Sequence, residues 1–174
     1  YLNSRGGIHN NRRMLDDQTR YMTYALREAE KAYEAGEVPV GCVIIHHGEI
    51  IGKAHNLRET LKDPTAHAEV LAITQAANHL NSWRLEDTEM YVTLEPCSMC
   101  SGAIVLARIP KVFYGAMDPK AGCCGSLMDI LGGTRLNHQP EVERGLLAEP
   151  CGAILTSFFR EIREKSRKIR NNEN

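Results

Sequence analysis

The sequence predicts one α/β domain. Short β-branched runs alternate with segments of helical periodicity, and neither a repeat nor a linker interrupts the 174 residues. The length suits a single domain of roughly 100–200 residues. The first helix is read from Met22, Ala25, Leu26, Ala29, Ala32 and Tyr33, which recur at helical spacing before a stop at Gly36. Residues 38–46 are rich in β-branched side chains, turn at His47-Gly48 and continue through 49–55, which reads as a hairpin. Residues 56–62 are polar and irregular. Asp63-Pro64-Thr65 combines a capping side chain with a first-turn proline, so a helix is expected from there to about Leu80. A buried strand over 88–94, a helix over 96–108 and a short strand over 111–114 follow. Residues 126–131 read as a short helix stopped by Gly132-Gly133, and 149–170 as a long terminal helix. Residues 1–11 contain Gly6-Gly7 and no periodicity. A flexible leader or tag remnant is therefore expected over 1–18, ahead of a domain over 19–170.

Composition excludes several classes. At 43% hydrophobic and 25% charged, the chain is neither collagen-like nor wholly disordered. Its longest apolar runs, such as 103–107, fall far short of the roughly 20 residues of a membrane span. The net charge of −1 conceals an uneven distribution: residues 1–20 carry four Arg against two Asp, and 160–174 carry six basic side chains against three acidic. An acidic body is thus flanked by basic ends, which leaves a polyanionic partner open. Six cysteines are present, and the polar, Arg-rich first 20 residues hold no secretory apolar core. A cytoplasmic address is expected, where cysteines serve as thiols or metal ligands more often than as disulfides.

Two segments carry chemistry, His67-Ala68-Glu69 and Pro96-Cys97-Ser98-Met99-Cys100. Alone, the first is an ordinary stretch of helix and the second could be a redox pair. Together they supply one imidazole and two thiols, with a carboxylate two residues from the imidazole. Three protein ligands is the count of a catalytic zinc, which keeps one position for water, whereas structural zinc takes four. Cysteines in the first turn of a helix are favoured as thiolates by the unpaired N–H groups there. A Zn²⁺ ion with two thiolates and a neutral imidazole is formally neutral and a weaker Lewis acid than zinc held by three histidines. A nearby carboxylate is then needed to take a proton from water and pass it to the substrate, and Glu69 is free for that work.

The H-x-E … P-C-x-x-C pattern is that of the zinc-dependent nucleobase deaminases. More specifically, residues 36–41 (Gly-Glu-Val-Pro-Val-Gly), 63–69, 93–100, 125–129, Asn137-His138 and Phe158-Phe159-Arg160 resemble the bacterial tRNA-specific adenosine deaminases, in order from about Met22 to Arg163. The resemblance implies a cytidine-deaminase-like three-layer α/β/α sandwich with a central five-stranded mixed sheet, one Zn²⁺ per subunit held by His67, Cys97 and Cys100, and a homodimer. The implied reaction replaces the C6 amino group of the wobble adenosine in a tRNA anticodon stem-loop, with Glu69 carrying the proton to N1 and ammonia leaving to give inosine. Asn56 would hydrogen-bond the flipped base, and Ala68, Leu94, Glu95 and Pro96 would line its pocket. Asp118, Lys120, Asn137, His138, Phe159 and Arg163 fall where the family contacts the anticodon loop. Met117 stands where the family often has a basic residue, and Cys123-Cys124 replaces small residues.

The remaining residues of note read more plainly. Cys123 and Cys124 are spare thiols on this reading, Cys42 and Cys151 buried core thiols, and His46 and His47 exposed side chains by a turn. Adjacent Phe158 and Phe159 on one helix cannot both face the core, so one is expected to stand exposed beside Arg160 and Arg163 as a platform for an unpaired base. Two rivals remain at this stage: a deaminase of free nucleosides or bases, and a non-catalytic zinc module with Cys123 or Cys124 as fourth ligand.

Overall fold

The computed structural model describes residues 5–172, with side chains from residue 10 onward. Its elements are α1 (Arg5–Glu34), β1 (Gly41–His46), β2 (Glu49–His55), α2 (Arg58–Leu61), α3 (Ala68–Leu80), β3 (Thr88–Leu94), α4 (Ser98–Ala107), β4 (Lys111–Ala116), β5 (Glu141–Arg144) and α5 (Ala148–Asn172). The five strands form one sheet in the order β2-β1-β3-β4-β5. β1 runs antiparallel to β2 and β3, whereas β3–β4 and β4–β5 are parallel, so the sheet is mixed as expected.

Strand alternation sorts the core into two layers. Cys42, Ile44, Met90, Val92, Val112 and Tyr114 face α3 and α4, where Ala68, Ala72, Ala76, Ile104 and Val105 join them. Val43, Ile45, Tyr91 and Phe113 face the other way, onto Met22 and Ala25 of α1 and Cys151 of α5. The result is the three-layer α/β/α sandwich. α3 sits directly on β2: a Cβ at Gly52 would lie 2.5 Å from the Ala72 carbonyl oxygen, so only glycine allows this approach. That contact seats the helix whose first turn carries Glu69. α1 and α5 meet where the Tyr33 hydroxyl donates to Glu161 and the Tyr33 ring lies edge-on to Phe158 at 5.5 Å.

The structure departs from the sequence reading at five places. α1 begins at Arg5, so residues 5–18 are helical where a leader was expected; 1–4 lie outside the described residues. Gly6-Gly7 fall in the first turn, whose N–H groups have no intrahelical partner to lose, and Arg12, Arg13, Met14, Leu15 and Gln18 are good helix formers. No apolar stripe marked this stretch because residues 10–16 face solvent. The polar segment after β2 contains the single turn α2. Asp63 does not cap α3; its Oδ1 accepts from the Thr65 N–H and hydroxyl in a turn, and His67 takes the N-cap position. Residues 126–131 form no helix. The Ser126 N–H donates to Glu95, Cys124 bridges Asp129, and Asp129 accepts from Gly132 N–H, which commits the backbone otherwise. β5 was missed because it is a mostly exposed edge strand of Glu, Val, Glu and Arg with no apolar face to read.

Candidate active site

The site forms where β3 feeds α4 and where the chain after β2 enters α3. His67 and Cys97 occupy the N-cap positions of α3 and α4, both with extended backbone and neither capping its own helix, so both side chains are free to turn outward. His67 Nδ1 lies 3.6 Å from Cys97 Sγ and 3.6 Å from Cys100 Sγ, and the three donor atoms lie within 4.8 Å of one another. Tetrahedral zinc, with Zn–N near 2.05 Å and Zn–S near 2.3 Å, places such atoms about 3.5–3.6 Å apart. The two separations from His67 therefore fit a zinc ion.

The three donors are tightly coupled in charge. A hydrogen bond from the Cys100 thiol, aided by another from His67, pushes Cys97 down to about 4 against its burial. Cys100 moves up, because its proton is held toward Cys97 and the thiol is buried. His67 moves up through its hydrogen bond with Cys97. Glu69 is 4% exposed, and burial pushes it up to about 7; its carboxyl group also hydrogen-bonds Cys100. Among the described residues no fourth ligand joins the group. Cys124 Sγ faces Ser101 Oγ at 3.4 Å and the Pro96 carbonyl, and Cys123 faces the Ala121 carbonyl, so the non-catalytic zinc module loses its fourth thiol.

A cavity of about 300 Å³ opens beside this group, the lower end of the range for small-molecule pockets. It gathers Asn56, His67, Ala68, Glu69, Leu94, Glu95, Cys97, Asp118 and Phe159 from the residues singled out above. Cys100 lies buried behind them. Pro96 is buried in the strand-to-helix turn, where its carbonyl accepts the Cys123 N–H instead of lining the cavity. Lys120, Asn137 and Arg163 are exposed and away from the cavity wall. His138 is set aside by packing: its Nε2 lies 2.7 Å from the Ile109 carbonyl, which ties it to the α4–β4 connection. Phe158 is buried and Phe159 is 41% exposed, dividing the aromatic pair between core and cavity.

Two buried carboxylates shape the walls. Glu95 lines the cavity as expected, and its carboxylate turns into the 118–126 loop, where it accepts the N–H groups of Asp118 (3.0 Å), Ser126 (3.0 Å) and Cys124 (3.3 Å). Gly122 makes room for it, since a Cβ there would lie 1.8 Å from Glu95 Oε2. Gly122→Ala is accordingly expected to expel the carboxylate and displace Asp118, lowering kcat/KM while far-UV circular dichroism stays unchanged; full activity would refute the clamp.

Glu37, quoted above only within a motif, is 1% exposed and accepts the N–H groups of Thr60 (2.6 Å) and Glu59 (3.2 Å) and the Thr60 hydroxyl (2.9 Å). Through α2 it fixes Arg58, a cavity-lining cation the sequence reading passed over because nothing in a polar loop distinguishes it. Burial works against its ionisation, yet these hydrogen bonds hold its pKa below the usual carboxylate value. The stabilisation it gives is therefore complete above the unfolded Glu value and lost as pH falls through the lowered native value. Glu37→Gln should lower the melting temperature at pH 7 and narrow the gap to wild type in acid; a parallel shift at every pH would remove Glu37 as the cause.

The fold and this donor set define a deaminase of the cytidine-deaminase-like class. The family of MafB19-like deaminases matches residues 16–163. Over 152 residues the chain is 55% identical to the tRNA-specific adenosine deaminase of Bacillus subtilis, covering 87% of this chain and 94% of that protein. A solved structure from work on A-to-I editing by tRNA:A34 deaminases at the wobble position superposes with a TM-score of 0.76 at 42% identity, covering 79% of this chain and 99% of the other. A guanine deaminase structure from Bacillus subtilis matches 56% of this chain and 63% of its own, with a TM-score of 0.54 and 42% identity. The chain belongs to the family of tRNA-specific adenosine deaminases.

Proposed function

We propose that the protein converts adenosine to inosine at the wobble position of a tRNA anticodon by hydrolytic deamination, as a cytoplasmic homodimer with one Zn²⁺ per subunit. The observation that carries the reading is a three-ligand group, His67, Cys97 and Cys100, beside a buried carboxylate at the wall of a small cavity. A zinc ion held by those three residues supplies Lewis-acid activation of water when bound.

Glu69 does the proton work. With its pKa near 7 it takes a proton from water and gives it to N1 of the base, then takes the proton of the new C6 hydroxyl and gives it to the departing amine. A C6–O bond forms, the C6–N bond breaks, and ammonia leaves. Asn56 is held rigidly: its amide donates to the Val38 carbonyl and its oxygen accepts the Arg58 N–H, which leaves one amide hydrogen for an acceptor on the base. Phe159 lines the cavity, and Arg163 stands one turn further along α5 in a basic, exposed stretch. Stacking plus phosphate contact suits an unpaired nucleotide in a loop. In this reading Asp118, Lys120 and Asn137 meet the same loop.

Support for the homodimer comes from large apolar side chains left in solvent, Leu106 on α4 at 71% exposure, with Leu127 and Met128 in the β4–β5 connection. No helix among the described residues is long and apolar enough to cross a membrane.

Sequencing tRNA after incubation tests the activity position by position. Adenosine-to-inosine change confined to the wobble position is the expected result. Deamination of free cytidine or guanine with an untouched stem-loop would overturn it. Stem-loop binding should also weaken steeply as salt rises, because neutralised phosphates release counterions; a flat response would remove the basic α5 from the interface.

A further inference from the structure

The turn between β1 and β2 arranges side chains in a way that plain strand alternation would forbid. His46 pairs with Glu49 across the hairpin and with Thr88 on β3, so His47, one residue on, stands level with Asp87. Neighbouring side chains of a strand point to opposite faces. His47 escapes this because its φ is +47° and that of Gly48 is +81°, the left-handed pair of a tight hairpin turn. The His47 ring consequently folds onto His46, with centroids 4.0 Å apart and planes inclined by 21°. A ring nitrogen of each histidine and a carboxylate oxygen of Asp87 lie within 4.8 Å of one another. Asp87 and His47 are exposed and His46 is half-buried. None of the three side chains has a hydrogen-bond or ion-pair partner among the described residues.

We propose that His46, His47 and Asp87 form a second divalent-metal site, selective for zinc or a neighbouring late transition metal. Two imidazoles and one carboxylate are the donors such ions prefer, whereas magnesium and calcium take all-oxygen sets. Water completes the coordination of an open site of this kind. Two nearly parallel rings cannot both aim a lone pair at one ion, so binding opens the stack, and the absence of other side-chain partners leaves both rings free to turn. The adjoining cleft adds Asp17 and Glu89, but Asp17 pairs with Arg20 and Glu89 accepts the Tyr91 hydroxyl, and Arg13 and Lys111 balance them. The site therefore rests on its three uncommitted donors. It lies at the opposite end of the seven-residue strand β3 from Cys97, about 20 Å away at the usual rise per residue. A metal there ties the β1–β2 turn to the start of β3.

The experiment uses protein already carrying its catalytic zinc, dialysed against micromolar free Zn²⁺, with metal counted per chain by elemental analysis. Wild type should hold two ions and the His47→Ala, Asp87→Ala double variant one, with stem-loop deamination equal in both. Cobalt substitution separates the sites, since only the cysteine site gives thiolate-to-metal charge-transfer bands. A second Co²⁺ adding ligand-field absorption without new charge transfer supports the assignment. A wild-type stoichiometry of one, or a double variant that still binds two, overturns it. Failure here leaves the proposed activity standing, because the double variant keeps His67, Glu69, Cys97 and Cys100.

Discussion

Glu69→Gln should leave the fold and the bound metal intact and lower turnover by about three to four orders of magnitude, the upper part of what a positioned general acid–base group contributes. Glutamine preserves the size and most of the hydrogen bonding of the buried carboxyl group but can neither accept nor return a proton. The structure explains why this carboxylate suits proton transfer. It is 4% exposed on the first turn of α3, and burial moves its pKa up to about 7. At neutral pH both protonation states are then accessible. The side chain is not among the three metal donors, so zinc content measured by elemental analysis should match wild type. Near-normal turnover of the variant would end the proton-shuttle assignment, and loss of zinc would mean that Glu69 helps hold the metal.

His67→Ala should fail differently, losing metal, activity and stability together. Removing the imidazole leaves Cys97 and Cys100 as two donors of a site whose geometry needs three, and takes away the hydrogen bonds that join the start of α3 to the start of α4. Metal binding free energy is folding free energy where the site forms only in the folded chain. The melting temperature should therefore fall by more than in Glu69→Gln, and added zinc should not restore it. Zinc content and thermal unfolding measured on both variants separate the two roles. A His67→Ala protein with stoichiometric zinc would refute the ligand set.

Much of the site was legible in the sequence because its chemistry is arranged by short-range spacing. His67 and Glu69 are two residues apart at one helix start, and Cys97 and Cys100 three apart at another, the spacings of the deaminase pattern that marked them. Strands β1 to β4 were legible from their β-branched and aromatic runs. β5 was not, because an exposed edge strand has no buried face. Glu95 was marked by the motif and lines the cavity, but only the folded loop reveals that its carboxylate accepts three backbone N–H groups. His138 was likewise marked by motif, and packing ties it to Ile109.

The sequence by itself determined the α/β class, since helical and strand periods are local properties of the chain, and its resemblance to the deaminases marked His67, Cys97 and Cys100 as candidate metal donors with Glu69 beside them. The tertiary structure alone decided which distant segments share a wall. Phe159 comes to face Asn56 across 103 residues, Glu37 reaches forward to hold α2, and the turn at His47 meets Asp87. Contacts at such separations are set by how the layers pack, which no local pattern of residues records.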